Sequence, residues 1–296
     1  MMPVADRRPT GSGSPNIREA LAAAVDALRA VGVDSPRLDA ELLLGGAAGW
    51  DRADLAANPD AALPAAAGRR FGEMVRRRLR REPVAYILGR KGFRHLELAV
   101  DRRVLIPRPE SELLVELALE LRPRRVLDVG TGSGAIALAI ADELPGCEVV
   151  ATDASAAALE VARANAERLG LSGRVELVAG TVPDRDAFDL VVANLPYVSE
   201  TEWGGLEPEV TEWEPREALL AGPDGLDAIR ALLDEGRVRV LSRRARQNAN
   251  SAGAIALEVG EGQAWAVAEL MRSAGYGTVG IRRDLAGVER VVVGRR

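Results

Sequence analysis

The chain is poor in cysteine and histidine, two residues that many enzymes use for acid–base or metal chemistry. Its 296 residues include one cysteine, Cys147, and one histidine, His95. A single cysteine excludes an intrachain disulfide, and the two residues together cannot build a Cys/His metal site or most catalytic triads. We therefore expect no metal, and we interpret Cys147 as an inert core or edge thiol and His95 as a surface residue.

Long apolar runs are also missing, since no segment approaches the roughly 20 residues that a membrane-spanning helix needs. Residues 1–16 are rich in Pro, Gly and Ser and lack the apolar centre of a signal peptide. We interpret them as a disordered tail and expect a cytoplasmic protein. The length exceeds that of a comfortable single core, so two domains are expected.

The spacing of apolar residues divides the chain. Residues 17–91 repeat apolar side chains at helical intervals and predict a small helical domain, to which we assign substrate recognition. Residues 92–108 change to short alternating runs, which indicate a linking β-hairpin. In residues 109–296 strands and helices alternate, which predicts an α/β fold with a doubly wound, mostly parallel sheet. Residues 241–253 are interpreted as a loop, and residues 277–293 as a closing antiparallel hairpin at the sheet edge.

The tetrapeptide Asn194-Leu195-Pro196-Tyr197 follows an apolar run, residues 188–193, that is typical of a buried parallel strand. Ligands of open α/β sheets bind at the carboxyl ends of such strands. The side-chain carbonyl of Asn194 and the backbone carbonyl beside Pro196 can each accept one hydrogen of an NH2 group, and Tyr197 offers a flat face. We predict a site for a nitrogen nucleophile with Asn194, Pro196 and Tyr197 as its catalytic residues.

A second ligand site is predicted where a strand leads into the glycine turn Gly130-Thr131-Gly132-Ser133-Gly134 and then into an apolar helix. The amino terminus of that helix would face a ligand. Residues 148–152 form the next strand, and Asp153 at its end is placed to bind ribose hydroxyls. The turn fits a methyl donor and also fits the dinucleotide fingerprint. The amide clamp on a later strand favours the methyl donor, because a hydride-transfer enzyme does not need it.

Several further segments match one known family. They are residues 34–44, 105–112, 216–219, 222–226, 258–260 with Gln263, and 284–290. With these segments, the glycine turn and the tetrapeptide, the chain resembles the S-adenosylmethionine-dependent class I methyltransferases. Within that class it resembles the release-factor glutamine N5-methyltransferases of the HemK/PrmC family. The resemblance begins near residue 17 and continues to the end, and residues 106–112 are its most specific part.

The resemblance implies a Rossmann-like methyltransferase sheet, S-adenosyl-L-methionine as the cofactor and class 1 peptide chain release factors as partners. It implies donor binding by residues 130–134, Asp153 and Asn194, and substrate binding by residues 194–197 with Arg108. The chain departs from the family at two places. Leu195 stands where Pro is usual, and Thr181-Val182 stand where an acidic and an aromatic residue usually flank the donor adenine. Thr181 and Val182 are therefore predicted as adenine neighbours only.

Charge is unevenly distributed. Residues 66–108 contain thirteen Lys plus Arg against four Asp plus Glu, although the chain carries a net charge of −5. Such a run is compatible with an acidic partner, with RNA, or with a solvated helix face. Residues 202–217 are acidic and contain Trp203 and Trp213. We interpret them either as a rim over the acceptor entrance or as an ordinary surface loop.

Three functions remain open at this point. The resemblance favours methyl transfer to the side-chain amide nitrogen (N5) of the glutamine in the Gly-Gly-Gln loop of release factors, with a ribosomal-protein glutamine methyltransferase as a close variant. An adenine N6-methyltransferase on nucleic acid is favoured by Leu195 and the basic run and disfavoured by residues 106–112. A donor-binding module without catalysis is the third, suggested by Leu195 and Thr181. We expect a monomer with no membrane association and no stable nucleic-acid partner.

Overall fold

The computed structural model describes residues 15–183, 188–234 and 253–295. The chain divides into two compact units, Met1–Leu88 and Gly89–Arg296. In the described ranges no helix combines the length and the apolar character needed to cross a bilayer. Of the predicted tail, residues 1–14 lie outside the description, and of the predicted loop 241–253 only Gly253 lies within it.

The first unit is helical, as the apolar spacing predicts. Its helices in the described part are α1 (Ile17–Ala30), α2 (Pro36–Ala48), α3 (Arg52–Ala57), α4 (Ala65–Leu79) and α5 (Val84–Leu88). Helix α1 begins with a capping box: the Asn16 side chain accepts from the Glu19 amide at 2.8 Å, and the Glu19 carboxylate accepts from the Asn16 amide at 3.2 Å. Leu28, Leu43 and Leu44 are fully buried between the helices.

The arginines of the basic run, residues 66–108, fall into two groups in this unit. Arg78 is buried and its guanidinium donates to the Asp39 carboxylate at 2.7 Å. Arg77 likewise pairs with the buried Glu82. Arg69 and Arg76 instead lie exposed on α4, as does Arg80 just beyond it. Part of the run therefore holds the helices together, and another part is available at the surface.

The second unit opens with the predicted hairpin, formed by β1 (Arg90–Phe93) and β2 (Leu96–Ala99). Strands and helices then alternate: α6 (Glu112–Leu121), β3 (Arg125–Val129), α7 (Ala135–Glu143), β4 (Glu148–Asp153), α8 (Ala156–Arg168), β5 (Val175–Ala179) and β6 (Leu190–Ala193). The remaining elements are α9 (Glu200–Trp203), α10 (Pro208–Thr211), α11 (Asp227–Asp234), β7 (Ala254–Glu258), α12 (Ala264–Ser273), β8 (Thr278–Arg283) and β9 (Glu289–Arg295).

One seven-stranded sheet organises this unit, with the order β5-β4-β3-β6-β7-β9-β8. Strands β3 to β7 are parallel, and β9 runs antiparallel between β7 and β8. This arrangement confirms the predicted α/β doubly wound sheet and its closing hairpin. The chain order reverses between β3 and β6, and ligands of such sheets bind at the carboxyl ends of strands at that switch point.

Both faces of the sheet are covered, so its central strands are buried throughout. Helices α6 and α7 pack on one face, where α7 is buried from Ala135 to Ala141 because its small side chains allow close approach. Helices α11 and α12 pack on the other face through side chains such as Ile229 and Met271. Cys147 lies in the first of these cores, and burial raises the pKa of its thiol to about 11.

Candidate active site

A cavity of about 330 Å³ lies at the switch point. It opens beside the carboxyl ends of β3, β4 and β6, which the parallel sheet brings to one edge. Most of its lining is apolar, with the Asp153 carboxyl and the Asn194 amide among the few polar side chains. Seven predicted site residues line it: Gly130, Gly132, Asp153, Thr181, Asn194, Leu195 and Pro196.

The glycine turn forms the floor beside β3. The amides of Gly130 and Thr131 both donate to the Thr152 carbonyl at 2.9 Å, which ties the turn to β4. Gly130 has φ +75°, and an added Cβ would lie 3.3 Å from the Leu195 side chain. The positive φ therefore favours glycine there, and an added Cβ would also require the Leu195 side chain to move slightly. Leu195 lies directly against this turn, where the family usually has proline.

Asp153 is held rigidly at the end of β4. One of its carboxylate oxygens accepts from the Gly132 amide at 2.9 Å, and the other accepts from the Ser155 amide at 2.8 Å. Each oxygen keeps a second lone pair, so the carboxylate can still accept hydrogen bonds from two adjacent hydroxyls. This geometry suits the ribose diol that the sequence predicts for Asp153.

A second carboxyl group, that of Asp128, is fully buried beneath the turn. Its Oδ2 accepts from the Thr131 hydroxyl at 2.7 Å and from the Ala137 amide at 3.2 Å. Among the described residues Oδ1 has no hydrogen-bond partner. Burial raises the pKa of Asp128 to about 7. Asp128 is not among the residues that line the cavity, so its carboxyl group supports the glycine turn from below.

The tetrapeptide backbone is fixed by two later segments of the chain. The Gln263 amide donates to the Tyr197 carbonyl at 2.9 Å while its own carbonyl accepts from the Gly260 amide at 2.9 Å. Gly225, at φ +74°, approaches so closely that an added Cβ would lie 2.2 Å from the Tyr197 carbonyl oxygen. These contacts leave the tetrapeptide little freedom to shift.

The Asn194 side chain is oriented from outside the cavity. Its Nδ2 donates to the Ser111 hydroxyl at 2.9 Å. In the described part of the chain no hydrogen bond reaches Asn194 Oδ1 or the Pro196 carbonyl. Two acceptors are thus available together at the cavity. Tyr197, the next residue, is half-buried and is not among the residues that line the cavity in the described structure, and burial raises the pKa of its hydroxyl to about 12.

Residues 199–222, called the arch below, return across the same site. Its buried Glu214 accepts from the Ile106 amide at 2.9 Å and pairs with the Arg108 guanidinium. The guanidinium of Arg102 also stacks over the Trp213 ring at 4.3 Å. Pro215, Glu217 and Ala218 of the arch line the cavity, together with Arg103, Val104 and Leu105. The arch is therefore a rim of the cavity, fastened to the segment that precedes α6.

The other predicted site residues lie near the cavity without lining it in the described structure. Thr131 supports Asp128, Ser133 and Gly134 form the end of the turn, and Val182 packs into the core on one sheet face. The Arg108 guanidinium forms an ion pair with Glu214. The ligand contacts of these five residues stay predictions.

Sequence reasoning assigned no role to four residues that now contact the predicted site or its supports. Three of them stand in segments that carry the family resemblance, which is the signal that could have found them. The four are Ser111, Glu214, Glu258 and Gln263.

Two segments of the chain match known protein families. Residues 19–89 match the family described as PrmC N-terminal domain, and residues 109–205 match the methyltransferase small domain. The catalytic domain of human hMettl16, bound to a MAT2A 3'UTR hairpin, has a TM-score of 0.51 and 17% identity over 67% of this chain and 74% of that one. That likeness shows the fold alone.

Curated relatives extend over nearly the whole chain. A release factor glutamine methyltransferase of Caulobacter vibrioides is 42% identical over 93% of this chain and 95% of its own length. The corresponding protein of Moorella thermoacetica is 43% identical over 95% of this chain and 98% of its own length. Identity at this level over full-length proteins shows the family. The chain belongs to the release factor glutamine methyltransferases.

Proposed function

We propose that this enzyme transfers a methyl group from S-adenosylmethionine to the side-chain amide nitrogen of a glutamine, in the Gly-Gly-Gln loop of class 1 peptide chain release factors. The observation that carries the proposal is the pair of available acceptors at Asn194 and Pro196 beside the donor-shaped cavity. Family membership supplies the release factor as the substrate. We place the reaction in the cytoplasm and expect the enzyme to act as a monomer.

The fit to the donor rests on two features of the cavity. The Asp153 carboxylate is fixed by two amides and can still accept two hydroxyls. Thr181 and Leu195 offer apolar surface for a purine. When bound, S-adenosylmethionine supplies an electrophilic methyl group on a sulfonium. The protein then has to place a weak nucleophile in line with that methyl group and to exclude water.

An amide nitrogen is a poor nucleophile because its lone pair is delocalised into the carbonyl. Hydrogen bonds from the NH2 group to Asn194 Oδ1 and to the Pro196 carbonyl hold that nitrogen and stabilise the positive charge that develops on it. Tyr197 packs against the amide plane as an uncharged ring. The proton can leave after methyl transfer, when the nitrogen has become acidic, so no basic side chain is required.

The nucleic-acid alternative rests on Leu195 and the basic run, and the position of Leu195 gives a reason to discount the first of these. The Leu195 side chain lies against Gly130, on the side of the cavity that the glycine turn forms. This side chain therefore shapes the donor side of the cavity, while Asn194 and Pro196 present the acceptors. Leu195→Pro should accordingly keep the same acceptor preference.

The test is methyl incorporation into a purified release factor and into RNA, followed by tandem mass spectrometry of the factor. We expect one added methyl group on the glutamine of the Gly-Gly-Gln loop and none on RNA. A factor in which that glutamine is replaced by glutamate is the matched control and should stay unmodified. Methyl transfer to adenine alone, with the factor untouched, would establish the nucleic-acid function instead.

The exposed arginines of α4 give the release factor a second contact. A short glycine-rich loop offers too little surface to bind tightly by itself. Arg76→Glu should therefore raise KM for the factor about two- to fivefold at low salt and leave kcat unchanged. Arg163→Glu, at an exposed position of α8, makes the same charge change elsewhere and should leave KM unchanged. Equal effects of the two variants would remove the α4 face as a contact.

A further inference from the structure

Asn165 is a polar residue of α8 that is 0% exposed. An amide is costly in such a place unless its polar atoms are hydrogen-bonded. Its Oδ1 accepts from the Ala99 amide at 2.7 Å, and its Nδ2 donates to the Ala99 carbonyl at 3.0 Å and to the Ser133 carbonyl at 2.9 Å. Because the backbone amide of Ala99 can only donate, Oδ1 must face it, and the orientation of the side chain is fixed.

The partners of Asn165 belong to two backbone segments that border the donor cavity. Ser133 follows Gly132, which lines the cavity and whose amide donates to the Asp153 carboxylate at 2.9 Å. Ala99 ends β2 and leads into residues 103–105, which also line the cavity. One buried amide therefore joins the glycine turn to residues 99–105, although these segments are far apart in the sequence.

The face of α8 that carries Asn165 lies along the same site. Ala158, Ala162 and Asn165 recur at helical spacing, so they share one face of the helix. Ala158 lines the cavity, and an added Cβ at Gly134 would lie 3.4 Å from the Ala162 Cβ. Helix α8 thus supports the glycine turn by packing, and Asn165 adds hydrogen bonds to that support.

Residues 99–105 have a second attachment to α8, the ion pair between Arg103 and Glu160 at 3.1 Å. Both of these side chains are exposed, so solvent screens the pair and its net contribution is small. The Asn165 amide is fully buried, and water does not compete for its hydrogen bonds. It is therefore the stronger of the two attachments.

We propose that Asn165 is a positioning residue for the methyl donor, and that its amide holds the glycine turn and residues 99–105 in the relative position at which both contact the donor. The inference rests on the proposed function, which supplies S-adenosylmethionine as the donor. Asn165 itself is not among the residues that line the cavity in the described structure. Without its amide the two segments shift, and the donor must use part of its binding free energy to restore their position.

Steady-state kinetics of Asn165→Ala distinguish this role from a general structural one. We expect KM for S-adenosylmethionine to rise about tenfold or more, with kcat at saturating donor within about threefold of the parent, because the bound donor restores the site. A residue that only stabilises the fold would lower the active fraction, and with it the apparent kcat, while KM for the donor stayed unchanged. That pattern, or a parental KM, overturns the proposal.

Leu171→Ala is the matched control for loss of stability. Leu171 is a buried residue just beyond α8, its truncation weakens the same core, and it does not line the cavity in the described structure. Calorimetry with S-adenosylhomocysteine should be done below the unfolding temperature of both variants. Asn165→Ala should bind it about tenfold more weakly than the parent, and Leu171→Ala should bind it within about twofold of the parent. Equal losses in the two variants overturn the proposal.

Hydrogen exchange measured by nuclear magnetic resonance tests the same link in the parent, without any substitution. If the Asn165 hydrogen bonds favour donor binding, donor binding must favour these bonds to the same extent. Saturating S-adenosylhomocysteine should therefore slow exchange of the Ala99 amide, which donates to Asn165 Oδ1 and does not line the cavity in the described structure. The Val288 amide, which donates to the Asp284 carboxylate at 2.9 Å, is the control and should not change. Unchanged exchange at Ala99, or equal slowing at Val288, overturns the proposal.

The two levels of inference fail in different ways. A parent enzyme that does not bind S-adenosylhomocysteine, or that leaves the release factor unmethylated, would refute the proposed function. A parent that binds and methylates normally, together with an Asn165→Ala variant of unchanged donor affinity, would refute the positioning role alone.

Discussion

The close approach of Gly225 to the tetrapeptide allows the support of the site to be tested apart from its chemistry. In Gly225→Ala the new Cβ would lie 2.2 Å from the Tyr197 carbonyl oxygen, whereas Cβ contacts below 3.0 Å are essentially never seen. The carbonyl must therefore move by at least about 0.8 Å, the difference between these two distances. The Gln263 amide, 2.7 Å from the same Cβ, must move as well.

The expected magnitude has two parts. An alanine at φ +74° costs about 1–2 kcal/mol of stability from backbone strain alone. Overpacking against Tyr197 should add about 1–3 kcal/mol. A displacement of nearly 1 Å at the tetrapeptide should also reduce kcat by up to about a hundredfold, because the reaction depends on alignment of the nucleophile.

Gly262→Ala is the matched control for this experiment. Gly262 has φ +82°, so alanine meets the same strain there, but an added Cβ has no neighbour within 4 Å in the described structure. Denaturant unfolding and steady-state turnover should be measured for both variants. Gly262→Ala should lose only the strain energy and keep its kcat. If Gly225→Ala matches Gly262→Ala in both stability and turnover, the tetrapeptide is not fixed in the way described.

Three further predictions concern single side chains. Asn194→Ala should lower kcat about a hundredfold with donor affinity nearly intact by calorimetry, since it removes one preorganised acceptor; near-normal turnover would falsify the two-acceptor site. Asp153→Ala should weaken donor binding by roughly 1.5–3 kcal/mol, and a parent that prefers a nicotinamide dinucleotide would contradict the donor assignment. The Asp128 pKa is raised to about 7, so its contribution to stability is greatest below the unfolded pKa and is lost as pH rises toward 7. Asp128→Asn should reduce this fall in the free energy of unfolding between about pH 4 and 7, and an unchanged slope would refute the assignment of that pKa.

Local patterns predicted the parts of this structure that depend on neighbouring residues. The apolar run before Asn194 forms a parallel strand. The segment after β3 forms a tight turn that needs positive φ values, and glycine adopts these without strain. Both predicted ligand sites therefore lie at one edge of the sheet, at the carboxyl ends of its parallel strands. The hairpin was also predicted, although its strands, Arg90–Phe93 and Leu96–Ala99, begin two residues before the predicted 92–108 segment and end well inside it.

The contacts that refine the site were beyond such reasoning because they join distant residues. Ser111 and Asn194 are 83 positions apart, and Ile106 and Glu214 are 108 positions apart. No periodicity or propensity specifies which of many polar side chains will meet across a sheet edge. Glu258 was not identified for a different reason. It ends a fully buried strand, and a carboxyl group does not fit the apolar pattern by which such a strand is recognised.

The scarcity of histidine and cysteine and the number of contacts that fix the tetrapeptide have the same physical explanation. Methyl transfer from a sulfonium to an amide nitrogen needs alignment more than it needs a proton carrier, so the rate depends on how closely the acceptors are held. Gln263 and Gly225 restrain the tetrapeptide backbone, and Ser111 restrains the Asn194 amide. Substitutions at these supports should therefore lower kcat even though the supports do not touch the substrate.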